Sequence, residues 1–560
     1  MSLLTLTVEK NVVDEMSHAH ARPGVSARRM LGVCIAVSVS ATGPAHALTA
    51  NIANCTVPYL QSFAPSNTHL TSAAIINATS TLPMYCRVDG TIDTPNSTAL
   101  TFSTGLPTVW NEKFVMLTQG GFAGNPPNPA GGSGTGGSPA PLAAGYATGS
   151  TDTGHRGGSF DGSFSINHPD LIIDFGHRGN KVTVDASKAL IAGYYQSAIK
   201  RSLLVGCSNG GRSTMIHAQR YPDDFDGYVV GAPAYAWPGM LGLDFHHSNL
   251  AWFSKAGSWL SPAKVKLLSD AVLAACDAND GLADAVIDDP RKCSFDVRTL
   301  QCRGADSDSC LTLPQIAAVQ LYSSDLKNSY GDTVSPHWLL NGDEVAGLTA
   351  WKLGANPPPI AANGRPEPLV PTIASPNTAQ AFSFFFEYGS VGWQGFNDPN
   401  WYWRNFNLDK DLNYLAQVDG MTSALSTNLM PTVSHGAKFI FYHGWADQAL
   451  NPLRTIMYYD DVVERFGKQQ TDSFMRVFMV PGMQHCTGGT VATDRADYIG
   501  ALEQWLDTGV APTRIDAPHV QGGVTTRTRP LCAYPLVARF TGPQGASTND
   551  AANFSCVADQ

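Results

Sequence analysis

Five residues, Gly206-Cys207-Ser208-Asn209-Gly210, constrain this chain more than any others. They follow Arg201-Ser202-Leu203-Leu204-Val205, a short β-type run, and precede Ser213–Arg220, whose apolar spacing is helical. Glycines two residues to either side of a serine, set between strand and helix, mark a strained turn where a side chain would clash. Gly227–Gly231 is strand-like again. Strand, sharp turn, helix, strand is the rhythm of a parallel sheet covered by helices.

The same rhythm extends upstream and returns much later. Lys113–Thr118 is a buried strand leading into Gly120–Gly124, Asn125–Ala140 is a Gly/Pro/Ser-rich loop, and Ser187–Lys200 is helical. Between 234 and 433 the rhythm dissolves into a stretch rich in Trp, Pro, Asn and Asp, expected to be an inserted lid domain. It resumes with the strand Lys438–Tyr442, a helix over Leu453–Phe466 and the strand Phe474–Val480. The expected fold is therefore α/β: an α/β-hydrolase core in two parts, 48–233 and 434–560, around a large lid. A length of 560 residues, 43% hydrophobic and 15% charged, suits a packed multi-part globule. The net charge of −10, with no strongly basic run, argues against a nucleic-acid partner.

A serine hydroxyl becomes a nucleophile only when a histidine takes its proton and a carboxylate orients that histidine. On this fold the order along the chain is serine, acid, histidine, each at a strand's carboxyl end. Asp447 follows Lys438–Tyr442 and His485 follows Phe474–Val480; His435 and His443 precede the acid and break the order. Cys207 adjoins the serine and Cys486 adjoins the histidine. A bridge between them would pin Ser208 beside His485, since bonded cysteines hold their α-carbons roughly 4.4–6.8 Å apart; the alternative is two free buried thiols. The backbone N–H of Asn209 is the first expected oxyanion donor, and the glycine loop at Gly121 is either the second or a plain turn. In the insert, Asp277, Asp280 and Asp284 crowd a Gly-containing loop with no basic residue. Such spacing suits Ca²⁺, though not in the EF-hand pattern, or else a solvated acidic turn. Cys276 and Cys293 flank it and could close it.

Arg28 and Arg29 precede an apolar run, Met30–Val39, that ends near Ala45-His46-Ala47. This reads as a signal peptide over 1–47, cut after Ala47, and the run is too short for stable membrane insertion. Of eleven cysteines, losing Cys34 with the leader leaves ten. An even set in an exported protein points to disulfides, and a secreted or periplasmic location is expected.

These motifs resemble the tannase/feruloyl esterase family. The matching pieces are Gly206–Arg212, His443-Gly444-Trp445-Ala446-Asp447 and Pro481–Cys486, with Ser150–His155, Phe175–Arg178 and the loop from Asp277. The resemblance implies a Ser208–His485–Asp447 triad with a Cys207–Cys486 bridge. It implies further bridges Cys55–Cys86, Cys276–Cys293, Cys302–Cys310 and Cys532–Cys556. It also implies a structural lid Ca²⁺ held by the side chains of Asp277, Asp280 and Asp284 and the carbonyls of Leu282 and Val286. The implied activity is that of a serine carboxylesterase acting on small aromatic esters: gallates, ferulates or terephthalate half-esters. A lipase- or cutinase-like hydrolase is the alternative. A catalytically silent binder is a third reading, which the complete triad opposes. Phe382–Phe386 with Trp393, Trp401 and Trp403 could wall an aromatic pocket or fill the lid core. Arg365 and Arg404 could meet a substrate carboxylate, and Leu450, close to Asp447, is expected near the substrate.

Overall fold

The computed structural model describes residues 47–559 other than 96, 133 and 134. The expected leader, with Arg28, Arg29 and Cys34, lies outside the described residues. Nine strands form one sheet. They are β1 (Thr68–Ile76), β2 (Tyr85–Thr94), β3 (Ser97–Pro107), β4 (Lys113–Leu117), β5 (Ala147–Thr151), β6 (Arg201–Cys207), β7 (Gly227–Gly231), β8 (Lys438–Gly444) and β9 (Met475–Val480). Their order across the sheet is β9-β8-β7-β6-β4-β5-β3-β2-β1. From β4 to β9 all neighbours run parallel. Those strands are buried nearly end to end, which is why their sequences are continuous apolar runs rather than alternating ones.

The first three strands differ from the alternating strand and helix expected upstream: they are antiparallel and join the sheet beside β5. Along β2 every second residue is buried, Val88, Gly90, Ile92 and Thr94, while Arg87, Asp89 and Thr91 face outward less covered. That period of two belongs to a sheet with one wet face.

Helix α1 (Gly179–Tyr195) starts well before the expected Ser187 and stops short of Lys200, because Gln196 takes the left-handed conformation at φ 51°. Helix α2 (Asn209–Arg220) starts directly after Ser208, and α3 (Pro452–Phe466) begins one residue before the expected Leu453. Among the described residues, 232–437 add no strand to the sheet; they form helices of up to 15 residues, turns and one small β-ladder. After β9, the chain closes with a helix, Tyr498–Thr508, and two hairpin-like pairs outside the sheet. Disulfides Cys55–Cys86, Cys302–Cys310 and Cys532–Cys556 form as the resemblance implies, the first fastening the amino-terminal segment to β2.

Candidate active site

Three of the parallel strands end where the chemistry-bearing residues begin: β6 before Ser208, β8 before Asp447 and β9 before His485. Ser208 sits at φ 66°, ψ −126°, a strained conformation for any residue but glycine. Its N–H donates to the Gly231 carbonyl (3.0 Å) at the end of β7, so the neighbouring strand holds the turn. A Cβ on Gly206 would lie 2.0 Å from Thr118 Oγ1 and 2.6 Å from the Gly210 backbone. The serine turn and the end of β4 are therefore in contact, and the sequence leaves glycine no substitute there.

His485 Nδ1 lies 2.8 Å from Asp447 Oδ2. Facing a carboxylate, Nδ1 carries the proton, which leaves Nε2 as the acceptor a serine needs. Asp447 has no exposed side chain, and its other oxygen accepts from the N–H groups of Ala449 (2.7 Å) and Leu450 (2.9 Å). Burial pushes its carboxyl upward, yet His485 and His443 outweigh that and hold it well below the ordinary carboxylate range. Cys207 and Cys486 are bonded, their α-carbons 6.0 Å apart, so Ser208 and His485 are neighbours of one cross-link. The free-thiol alternative is gone.

His443, set aside on chain order, belongs to this site in another capacity. It is the penultimate residue of β8, fully buried, with Nε2 3.1 Å from Asp447 Oδ2 and 3.2 Å from the Leu450 carbonyl. Both partners are acceptors, so Nε2 donates, and Nδ1 accepts from Thr455 Oγ1 at 2.7 Å. The acid is thus gripped from both sides. The signal was in His443's spacing, four residues before Asp447 at a strand end. Leu450 serves this bracket through its backbone and is itself buried.

Asn209 supplies the first backbone N–H of α2, and Gly121 lies beyond β4 with φ 58°. A Cβ on Gly121 would come within 2.1 Å of the Ser159 carbonyl. Asn209 Nδ2 donates to the Gln119 carbonyl (2.9 Å), joining the serine turn to the Gly121 loop.

A chain of rings from the insert and from the loops after β4 and β5 reaches His485. Phe122, next to Gly121, stacks on Phe386 at 5.5 Å; Phe386 stacks on Trp351 at 6.1 Å; Trp351 stands edge-on to His485 at 5.3 Å. Phe382 meets Trp351 at 5.2 Å and Phe160 at 4.7 Å. Of the expected aromatic wall, Phe382 and the buried Phe386 pack on Trp351. Trp393, Trp401 and Trp403 pack with Tyr388, Phe406 and Phe384 inside the insert. Trp351, which sequence reasoning missed, is the ring nearest the histidine among those paired with it. Arg404 is committed elsewhere: it donates to the carbonyls of Phe253 (2.8 Å) and Pro366 and stacks on Trp403. Arg365 is exposed on a turn.

The aspartate loop forms a separate cluster. Cys276 and Cys293 close it as a disulfide with α-carbons 5.3 Å apart. Asp277 accepts the N–H groups of Asp284 (3.1 Å), Ala285 (3.1 Å) and Val286 (3.2 Å), which folds the loop around its carboxylate. Asp284 is paired with Arg529, from the carboxyl-terminal hairpin. Asp280 shares a hydrogen bond with Asp288, and burial, then the Asp280 charge, drives the Asp288 carboxyl well above its ordinary range. Two carboxyls in contact need a shared proton or a cation between them, whereas Asp284 is met by Arg529 and Asp277 by backbone N–H groups, and among the described residues these carboxylates do not gather around one point. Asp288 was not among the expected ligands.

A model of the tannase and feruloyl esterase family matches residues 86–557. An uncharacterised esterase of Xanthomonas campestris pv. campestris is 34% identical over 516 residues, covering 85% of each chain. The mono(2-hydroxyethyl) terephthalate hydrolase of Piscinibacter sakaiensis is 32% identical over 543 residues, again covering 85% of each. Among solved structures, an esterase from Aspergillus oryzae superposes with a TM-score of 0.75 at 25% identity, covering 90% of this chain and 99% of that one.

Proposed function

The chain belongs to the tannase and feruloyl esterase family, and from that premise we propose that it is a serine carboxylesterase cleaving esters of aromatic acids through an acyl-enzyme. Ser208 Oγ attacks the ester carbonyl while His485 Nε2 takes its proton. The N–H groups of Asn209 and Gly121 receive the oxyanion. Collapse expels the alcohol, which takes the proton from His485, and water repeats the sequence to release the acid and restore Ser208. The observation that carries the reading is the 2.8 Å contact from His485 to Asp447 beside the Cys207–Cys486 bridge.

An aromatic acyl group is favoured by Trp351, a half-buried ring that stands edge-on to His485 and is backed by the buried Phe386 and Phe122. With Arg404 committed and Arg365 exposed, a neutral phenolic acyl group such as gallate or ferulate suits this surface better than a terephthalate half-ester. Calcium, held by the side chains of Asp277, Asp280 and Asp284 and the carbonyls of Leu282 and Val286, would have to draw Asp284 away from Arg529, and would then stiffen the loop. It takes no part in the chemistry. Export, with a leader cut near Ala47, accords with five disulfides in an oxidising compartment. Among the described residues, no helix is long and apolar enough to cross a membrane.

Hydrolysis of methyl gallate, methyl ferulate, mono(2-hydroxyethyl) terephthalate and p-nitrophenyl butyrate by the mature protein tests the reading. A preference for an aromatic ester that vanishes in Ser208→Ala supports it. Turnover of butyrate alone would reject the aromatic assignment.

A further inference from the structure

We infer that Arg212 is a positioning residue of the oxyanion hole, acting through the Asn209 carboxamide on the loop that carries Gly121. The inference rests on the esterase reading of Ser208.

Arg212 lies on the first turn of α2 and has no exposed surface. Its guanidinium has five N–H bonds, and the structure gives it five acceptors, all neutral. Nε donates to Asn209 Oδ1 at 2.7 Å. One terminal nitrogen donates to the carbonyls of Gly176 (2.9 Å) and Thr422 (2.7 Å). The other reaches the Phe175 carbonyl (3.1 Å) and Ser213 Oγ (3.4 Å). The rings of Phe175 and Trp237 cover it at 4.6 and 5.1 Å. Burial, with the like charge of Arg220, pulls its pKa down to about 9. A buried cation without an anion is a costly feature, which an apolar side chain of similar length would avoid.

What the arginine holds explains its presence. Asn209 Oδ1 is fixed by Arg212, so Asn209 Nδ2 points at the Gln119 carbonyl, 2.9 Å away. Gln119 in turn clamps its own loop: its side chain donates to the Asn125 carbonyl (2.9 Å) and accepts the Asn125 N–H (3.1 Å). Gly121 lies inside that clamp. The two oxyanion donors come from chain segments far apart in sequence, and the Asn209 carboxamide is a direct side-chain link between them. Because such donors work only when held within about 0.5 Å of the productive geometry, the residue that aims this link controls the rate. Among the described residues no carboxylate is bonded to this guanidinium.

Asn209→Ala is the first test, because it keeps the backbone N–H and leaves Arg212 bonded to the carbonyls of Phe175, Gly176 and Thr422. Its kcat on an aromatic ester should fall about tenfold to a hundredfold, the range for a weakened oxyanion donor, while KM changes less than about threefold. Affinity for an aryl trifluoromethyl ketone should fall by the same factor, with inhibition by the product acid unchanged. Arg212→Lys keeps the charge but not the fork, and should lose a similar factor. The double variant should then be no worse than the weaker single one. Wild-type kcat and ketone affinity in Asn209→Ala would overturn the inference, as would losses that multiply in the double variant. If Arg212→Lys does not fold, Asn209→Ala with the ketone decides alone. An inactive wild type, or an active Ser208→Ala, would instead sink the esterase reading.

Discussion

The strand ends and the insert place their side chains by different means. At β6, β8 and β9 the backbone does the placing: parallel hydrogen bonding fixes the strands, a strained turn lifts Ser208, and a disulfide ties Cys207 to Cys486. In the insert, Phe382, Phe386 and Trp351 reach the same centre by ring against ring, on short helices and wide turns with no strand beneath them. Reacting atoms tolerate errors of only a fraction of an ångström, so they sit on the sheet. An acyl surface needs shape and apolar character, which packing alone supplies. Changes at the strand ends should therefore act on kcat, and changes in the insert on KM or stability.

The sharpest contrast is Ser208→Ala, for which kcat should drop by about 10⁴ or more with the thermal midpoint unchanged. His443→Ala should lower kcat/KM by about tenfold. Asp447 also marks stability. Its folded value is depressed below the 3.8 of an ordinary aspartate, so its contribution is complete above that pH and is lost as the pH falls. The wild-type midpoint should decline below about pH 4, less steeply in Asp447→Asn.

Replacing Cys207 and Cys486 together by serine should cost about 2–4 kcal/mol of stability and several-fold in kcat, read by denaturant melts beside kinetics. An unchanged kcat would mean that the strands alone align the pair. Trp351→Ala should raise KM for aromatic esters roughly threefold to tenfold and leave p-nitrophenyl butyrate nearly unaffected. Equal losses on both esters would break the comparison, placing Trp351 with the catalytic groups.

The sequence by itself carried the parallel core, the strained serine turn, the order of acid and histidine, and two cysteines beside the reacting residues. These are local patterns, in which an apolar run, a pair of glycines or a spacing of a few residues already dictates backbone geometry. The tertiary structure decided the rest. It put His443 behind Asp447, turned β1–β3 antiparallel, brought Asp288 against Asp280, spent Arg404 on carbonyls and chose Trp351 over Trp393, Trp401 and Trp403 to face the histidine. Each of those outcomes depends on which distant surfaces meet, and neither an aromatic ring nor a charge carries its partner's address in the neighbouring residues.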